Sequence, residues 1–265
     1  MKVSASQINT IHEGDCVELL RTLPDGSAQL VIADPPYNLG PKFGVTKEWV
    51  NDPKWLDWCG EWLDECQRVL TDDGNLFVYG IHHYLCLLHV RLYEMGMTYR
   101  RQVIWHYENG FSTYRKNLAT HYEPILWFSK NPDSYFREIR EPYKSTDRLR
   151  HKITKNGKVW TPNPEGRLAG DVWRYPTLAG RRFKDEKVDH PTQKPLALTD
   201  RIVEHFSEPG ALVVVPFAGS GTECVSAMQH GRSYWGAEIK PEYVGLARDR
   251  LETTLVETEV PRESA

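Results

Sequence analysis

The sequence predicts a doubly wound α/β fold with a largely parallel sheet, interrupted by one inserted, loop-rich region. Short apolar runs alternate with helical patterns in residues 1–130, and they do so again from residue 190 onward. Between these stretches, residues 131–189 show weak periodicity and many Pro, Gly, Lys and Arg residues. Strands that alternate with helices favour a parallel sheet covered on both faces. We therefore divide the chain at 1–130, 131–189 and 190–265.

The elements of the two flanking stretches follow from the spacing of apolar residues. Strands are predicted at residues 8–12, 29–33, 75–81, 100–106, 124–129, 211–215 and 234–239. Helices are predicted at residues 192–206, 223–230 and 242–256. A further helix is predicted to open at Asp52 as N-cap, with Pro53 in its first position, and to end near the turn cluster Thr71 to Gly74. Its apolar positions recur every three or four residues, which predicts core packing: Trp55, Cys59, Trp62, Cys66 and Val69.

Composition excludes several classes of protein. The 265 residues are 40% hydrophobic, enough for a sizeable core. No apolar run approaches the roughly 18 residues of a membrane span, and residues 1–5 open no apolar signal-peptide core, so we expect a cytosolic protein. The five cysteines form no C-x-x-C pair, and no H-E-x-x-H motif occurs. We therefore expect buried, reduced thiols and no metal site.

Charge is unevenly distributed along the chain. The formal net charge is -3, yet residues 131–189 hold fourteen Lys or Arg against nine Asp or Glu. Such a local basic excess can be the electrostatic footprint of a nucleic-acid partner, which the pI of the whole chain conceals. A solvated loop region explains the charge equally well, so charge alone leaves both interpretations open.

The first chemical motif is Asp34-Pro35-Pro36-Tyr37, directly after the apolar strand that ends at Ala33. Ligands of open α/β sheets bind beyond the carboxyl ends of strands. The prolines stiffen the loop and donate no N–H, which leaves its carbonyls free to accept. A planar amino group could donate to the Asp34 carboxylate and the Pro35 carbonyl, while Tyr37 stacks on its ring. The alternative is a Pro-Pro turn with an acidic helix cap.

The second motif runs from Val213 to Thr222 and includes Gly219-Ser220-Gly221. Its glycines allow close approach of a ligand to the backbone. Glu238 lies seventeen residues past Gly221, a distance at which an acid commonly holds ribose hydroxyls. Neither G-x-G-x-x-G nor the phosphate-binding G-x-x-x-x-G-K-[ST] motif occurs. The sequence therefore favours an adenosyl ligand without phosphates, although Gly-Ser-Gly is also a common turn.

The third motif, His190-Pro191-Thr192-Gln193-Lys194-Pro195, precedes the helix that follows the insertion. Alone it is typical of an ordinary helix start. Together and in this order, the three motifs resemble those of the beta-group amino-DNA methyltransferases, which methylate adenine N6 or cytosine N4. The resemblance covers about residues 1–130 and 190–250 and leaves the middle unmatched.

The resemblance implies a Rossmann-like methyltransferase sheet, S-adenosylmethionine as cofactor and double-stranded DNA as partner. It makes Asp34, Pro35, Pro36 and Tyr37 the catalytic loop. It further implies that the cofactor contacts Asp15 and Cys16 at its adenine, Glu238 at its ribose and Lys194 at its amino-acid end, with Asp34 as a further cofactor contact. The methionine side would be lined by Phe217, Ala218, Gly219, Ser220 and Gly221. Val215 departs from the family pattern, because many members have an acid there.

The family places target recognition where residues 131–189 fall. This implies that Lys and Arg side chains there contact DNA phosphates, with two more in the loop after Phe111; the candidates are Arg115, Lys116, Lys144, Arg148, Arg150, Lys152, Arg181 and Arg182. Many relatives dimerise and some act with a cognate restriction nuclease. The resemblance therefore makes a second copy of this chain and a restriction nuclease possible partners. The target base would have to be flipped out of the duplex.

The identity of the target is narrowed but not fixed by the sequence. Asp34 favours adenine N6 over cytosine N4, since cytosine enzymes frequently have Ser there. Cytosine C5 methylation is excluded, because it needs a thiolate in a Pro-Cys setting and no Pro-Cys dipeptide occurs. A methyltransferase for RNA or for protein amide nitrogen stays open, as does a catalytically idle nucleotide- or DNA-binding module.

Overall fold

The computed structural model describes residues 3–37, 52–109, 116 and 118–259. It contains twelve strands: β1 (Thr10–Glu13), β2 (Ala28–Ala33), β3 (Leu70–Tyr79), β4 (Thr98–His106), β5 (Tyr122–Ser129), β6 (Arg140–Glu141), β7 (Ile153–Lys155), β8 (Lys158–Trp160), β9 (Arg167–Leu168), β10 (Val172–Arg174), β11 (Leu212–Val215) and β12 (Ser233–Glu238). The helices are α1 (Cys16–Leu20), α2 (Asp52–Val69), α3 (His82–Glu94), α4 (Leu196–Phe206), α5 (Thr222–Gln229) and α6 (Pro241–Glu259).

Eight strands form one central sheet in the order β1-β12-β11-β2-β3-β5-β4-β10. Within it β5 runs antiparallel to both of its neighbours, and every other pair is parallel. The sheet is therefore largely parallel, and the predicted Rossmann-like α/β class is confirmed. Because β3 and β4 run in the same direction, the carboxyl ends of seven strands meet at one edge, together with the amino end of β5.

Helices cover both faces of this sheet, as the alternation of apolar residues requires. Leu30 and Ile32 of β2 pack into a core with residues of α4, α5 and α6. Val31 and Ala33, which point to the opposite face, pack with residues of α1, α2 and α3. All six residues of β2 are buried, as expected of a central parallel strand. The predicted stripe of α2 lies wholly inside the second core.

Two predicted helix starts are wrong, whereas α2 ends at Val69, close to its predicted end near Thr71. The residues of the predicted turn, Thr71 to Gly74, lie within the bounds of β3, at an irregularity in its pairing with β2. Asp52 is the first residue of α2 instead of its N-cap. The helix expected from Thr192 begins at Leu196, since Pro195 is extended and serves as N-cap.

The region 131–189 contains more regular structure than its sequence indicates. Strands β6 and β9 pair with each other, as do β7 and β8, and β10 extends the central sheet beside β4. Ile139 and Trp173 are buried in the first core. Part of this region is thus continuous with the sheet, while the limits at 131 and 189 stay a prediction.

The cysteines of the protein differ in their burial. Four of the five cysteines are free and buried, whereas Cys86 is exposed, contrary to the expectation that every thiol is buried. No helix in the described ranges is long and apolar enough to cross a membrane, and no group of potential metal ligands occurs there. Burial raises the pKa of the Cys16 and Cys66 thiols, which disfavours thiolate chemistry.

Candidate active site

A cleft of about 430 Å³ opens at the carboxyl edge of the sheet. Because β11 lies directly between β2 and β12, the loops that leave these three strands meet there. They bring the first and second motifs together with Glu238, while the third motif enters from the segment before α4. The lining residues are Gly14, Asp15, Cys16, Asp34, Pro35, Pro36, Tyr37, Trp58, Ile81, Glu123, His190, Pro191, Thr192, Lys194, Pro216, Phe217, Ala218, Gly219, Ser220, Glu223, Ala237, Glu238, Ile239, Lys240 and Tyr243.

The Asp34–Tyr37 loop is held by side chains on both sides. The Tyr37 hydroxyl donates to Asp34 Oδ1, and burial, reinforced by the Asp34 charge, raises the pKa of Tyr37 well above its usual value, so the hydroxyl keeps its proton. The Trp55 indole N–H donates to the Pro36 carbonyl at 2.9 Å. Pro35 also lines the cleft, and its carbonyl is a hydrogen-bond acceptor.

Lys194 lies at the centre of a buried cluster of carboxylates. It is only 4% exposed; its Nζ is 2.6 Å from Asp34 Oδ2 and 3.8 Å from Glu123 Oε2. Burial disfavours the ammonium, but Asp34, Glu123 and Glu223 outweigh this and raise the pKa of Lys194. Lys194 therefore stays charged and fixes the carboxylate of the predicted catalytic residue.

The glycine loop uses its two predicted glycines differently. Gly219 has φ +47°, and a Cβ there would lie 3.0 Å from His190 Nε2, so this position brings the third motif onto the loop. Gly221, with φ +75°, is the N-cap of α5. A Cβ on Gly221 would lie 2.9 Å from Ala247 Cβ of α6. Gly221 is absent from the cleft lining, so the glycine serves close packing of α5 on α6.

Glu238 connects the glycine loop to the loop that follows β12. Its Oε2 accepts from the Gly219 N–H and its Oε1 from the Lys240 N–H, both at 2.9 Å. Each carboxylate oxygen has a second lone pair, so the side chain can still accept from ligand hydroxyls. This geometry fits the predicted ribose contact, which stays a prediction.

The remaining predicted cofactor residues also line the cleft. Asp15 is the N-cap of α1, since its Oδ1 accepts from the Val17 N–H at 2.9 Å. Phe217 packs against Trp58 and Trp62, with ring centroids 5.7 and 5.3 Å away. The structure thus places Asp15, Cys16, Asp34, Lys194, Phe217, Ala218, Ser220 and Glu238 around one cavity.

Sequence reasoning missed Glu123 and Glu223, which also line this cavity. Glu123 is in β5, and only the antiparallel direction of that strand brings its first residues to the carboxyl edge. Glu223 follows the glycine loop, and its sequence gives no sign of the cavity because an acid in the first turn of a helix is ordinary. His190 belongs to the predicted turn; it packs against Tyr243, and burial lowers its pKa to about 4.

The cleft carries an excess of acidic groups. Five carboxyl side chains line it against two lysines, and His190 is neutral near pH 7 because of its lowered pKa. A negative cavity repels polyphosphates and attracts cationic ligands. This agrees with the absence of a phosphate-binding motif from the sequence.

The predicted DNA-binding residues fall into two groups. Arg181 and Arg182 lie in the segment that leaves β10, and Lys116 in the loop that leaves β4, so both segments depart from the edge that carries the cleft. Asn109 joins these segments by exchanging hydrogen bonds with Thr177 at 2.9 and 3.0 Å. Arg115 lies outside the described residues.

The second group surrounds a β-ribbon formed by β7 and β8, in which all six strand residues are exposed. Residues 144–160 hold six Lys or Arg against one acid, whereas the rest of 131–189 holds eight of each. The basic excess of the whole region is therefore concentrated at this ribbon. Lys144 and Lys152 are exposed, Arg150 pairs with Asp147, and Arg148 lies over the Tyr143 ring.

Comparisons with known proteins all match DNA methylases and methyltransferases. The family model described as DNA methylase, of N6 and N4 type, matches residues 28–249. The chain is 34% identical to the type II methyltransferase M1.MboII of Moraxella bovis, over 91% of this chain and 95% of that protein. It is 32% identical to the DNA adenine methyltransferase YhdJ of Escherichia coli, over 93% of this chain and 84% of that protein.

The fold is similar to that of TTHA0409 of Thermus thermophilus, whose structure is described as a putative DNA modification methylase complexed with S-adenosyl-L-methionine. The TM-score is 0.63 at 23% identity, and the match covers 92% of this chain and 93% of that chain.

Proposed function

The chain belongs to the N6/N4 DNA methylase family, and we propose that it methylates the exocyclic N6 of a flipped adenine in duplex DNA. The observation that carries the proposal is the Asp34–Tyr37 loop, all four residues of which line one cleft. The Asp34 carboxylate and the Pro35 carbonyl are the acceptors that we assign to the target. These two acceptors suit the two hydrogens of a planar amino group. The basic ribbon supplies a second, separate surface for a polyanion.

The cleft fits S-adenosylmethionine as the methyl donor. When bound, that cofactor supplies an electrophilic methyl group on a positively charged sulfonium. The acidic excess of the lining suits a cation, and Glu238 offers acceptors for ribose hydroxyls. Asp15 and Cys16 would meet the adenine, while Phe217, Ala218 and Ser220 would line the methionine side.

The protein's contribution is positioning and electrostatic stabilisation. Asp34 accepts one hydrogen of the target amino group, sharing an oxygen with Tyr37 or Lys194, while Pro35 accepts the other. The two acceptors hold the nitrogen so that its lone pair faces the methyl group. Once the nitrogen has gained the methyl group it must lose a proton, and Asp34 is the acceptor that the loop offers. The Tyr37 ring stacks on the target base and offsets part of the cost of unstacking it.

The ribbon has features of a groove-binding element. Asn156 and Gly157, with φ +51° and +72°, form its two-residue turn, as in a type I′ hairpin. Lys155 lies directly opposite Lys158, and Ile153 opposite Trp160. Opposed like charges destabilise a hairpin, and phosphates would relieve that repulsion. Since a two-stranded ribbon fits the major groove of B-DNA, we assign the ribbon to the DNA interface.

Incubating the protein with labelled S-adenosylmethionine and duplex DNA, followed by nucleoside analysis, tests the proposal. Label in N6-methyladenine supports it. Label in N4-methylcytosine would keep the family and replace the target base. Incorporation into RNA or protein, with none in DNA, would contradict the proposal. Sequencing modified bases in DNA from expressing cells would add the recognition site.

The choice of adenine rests on Asp34 in the first position of the loop and on the similarity to an adenine enzyme. Cytosine N4 is the alternative, because its amino group is equally planar and offers the same two hydrogens.

A further inference from the structure

Glu223 is a buried carboxylate in the cleft for which the mechanism above gives no role. It is the second residue of α5 and lines the cavity, yet it is only 4% exposed. Its Oε1 is fully buried and has no hydrogen-bond partner among the described residues. A buried carboxylate oxygen without a partner is costly, so this position calls for a ligand that donates to it.

The cations around Glu223 are engaged with other groups. Lys194 lies 2.6 Å from Asp34. Arg250 donates to the Ser220 carbonyl at 2.8 Å and to Thr222 Oγ1 at 3.0 Å. Burial and the Asp34 charge raise the pKa of Glu223 to about 7, although Lys194 and Arg250 lower it in part. The pocket around Glu223 thus has too little positive charge to balance its carboxylates.

We infer that Glu223 forms a subsite for a primary ammonium group, namely the α-ammonium of the amino-acid end of the cofactor. This inference rests on the proposed function, which places an adenosyl amino acid in the cleft. An ammonium group carries three N–H donors and a full positive charge. It would supply both the hydrogen-bond donor and the positive charge that Glu223 lacks. A metal ion is a poorer occupant, because no group of potential metal ligands occurs in the described residues.

The subsite can be tested by binding alone, without turnover. Three ligands are titrated calorimetrically: S-adenosylhomocysteine, its analogue with hydrogen in place of the amino group, and 5′-methylthioadenosine, which lacks the amino acid. The wild-type protein should prefer S-adenosylhomocysteine to the deaminated analogue by about tenfold or more, the strength of a charged hydrogen bond. In Glu223→Gln that preference should disappear, while affinity for 5′-methylthioadenosine is kept.

Three further variants separate loss of the subsite from general damage to the protein. Glu242→Gln alters an exposed acid at the start of α6 and should retain the preference for the amino group. Glu238→Gln should weaken all three ligands alike, since it acts at the adenosyl end. Glu223→Asp keeps the charge on a shorter side chain and should retain part of the preference, which keeps the test open if Glu223→Gln fails to fold.

The outcomes distinguish failure of the Glu223 subsite from failure of the proposed function. A preference for the amino group that survives in Glu223→Gln would overturn the subsite and leave the proposed function intact. Equal loss of 5′-methylthioadenosine binding would assign Glu223 to loop structure and also overturn it. Wild-type protein that binds neither S-adenosylhomocysteine nor 5′-methylthioadenosine would overturn both the subsite and the proposed cofactor.

Discussion

The cleft and the β-ribbon differ in both charge and exposure. The cleft is lined by five carboxyls and two lysines, and its charged groups Lys194 and Glu223 are buried. Around the ribbon, six basic residues face one acid, and Trp160 is 61% exposed. A chain with a net charge of -3 therefore contains one field suited to a small cation and another suited to a polyanion. The average charge of the chain conceals both.

The largest effect should come from the catalytic loop. Asp34→Ala removes the acceptor for the target amino group, so we expect the single-turnover rate of methyl transfer to fall by about 10³-fold, as when a preorganised hydrogen-bonding group is lost. Asp25→Ala, in an exposed surface ion pair with Arg68, is the control and should leave the rate unchanged. A rate for Asp34→Ala within tenfold of wild type would remove Asp34 from the mechanism.

The second-largest effect should come from Glu223, whose raised pKa should make the stability of the folded protein depend on pH. The pKa of Glu223 is about 7 in the folded protein against 4.5 as its ordinary value. The folded state therefore holds this proton more tightly, and stability should decline as the pH rises from about 4.5 to about 7. Denaturant unfolding without ligand at pH 4.5 and 8 should show a loss on the order of 3 kcal/mol in wild type relative to Glu223→Gln. Parallel pH profiles for the two proteins would contradict this.

Salt should affect the binding of DNA at the ribbon and leave the binding of S-adenosylhomocysteine in the cleft unaffected. Replacing Lys155 and Lys158 by Ala should weaken duplex DNA binding by about tenfold or more and reduce the slope of log affinity against log salt by about two. Binding of S-adenosylhomocysteine should be unaffected. Arg21→Ala, an exposed cation on another surface, serves as control. An unchanged salt slope would exclude the ribbon from the DNA interface.

A smaller effect is expected at Glu238. In Glu238→Gln, the new amide N–H₂ must face either the Gly219 or the Lys240 N–H, since both oxygens now accept from these groups. We expect affinity for 5′-methylthioadenosine to drop by about tenfold, the value of one charged hydrogen bond. Measurement by calorimetry, beside the Glu242→Gln control, would show whether the contact exists; equal affinities would contradict the ribose assignment.

Much of the fold and most of the cleft could be predicted from local patterns. Burial of one face of an element produces a periodic pattern of apolar residues. This pattern is clear in the apolar run before Asp34, in the stripe of α2 and in the alternation after residue 190. It is weaker in helix α3 and strand β10. The start of α4 lies at Leu196 and not at Thr192, because a residue before proline, here Lys194, disfavours the helical conformation.

The sequence by itself therefore determined the α/β class, the loop that can receive an amino group and the acid paired with the glycine loop, since each is encoded in contiguous residues. Tertiary structure decided which of these meet. Lys194 reaches Asp34 across 160 residues, Glu123 arrives because β5 runs antiparallel, and Gly221 packs on α6 instead of lining the cleft. Sheet order and strand direction arise from packing between distant segments, and no local pattern records them.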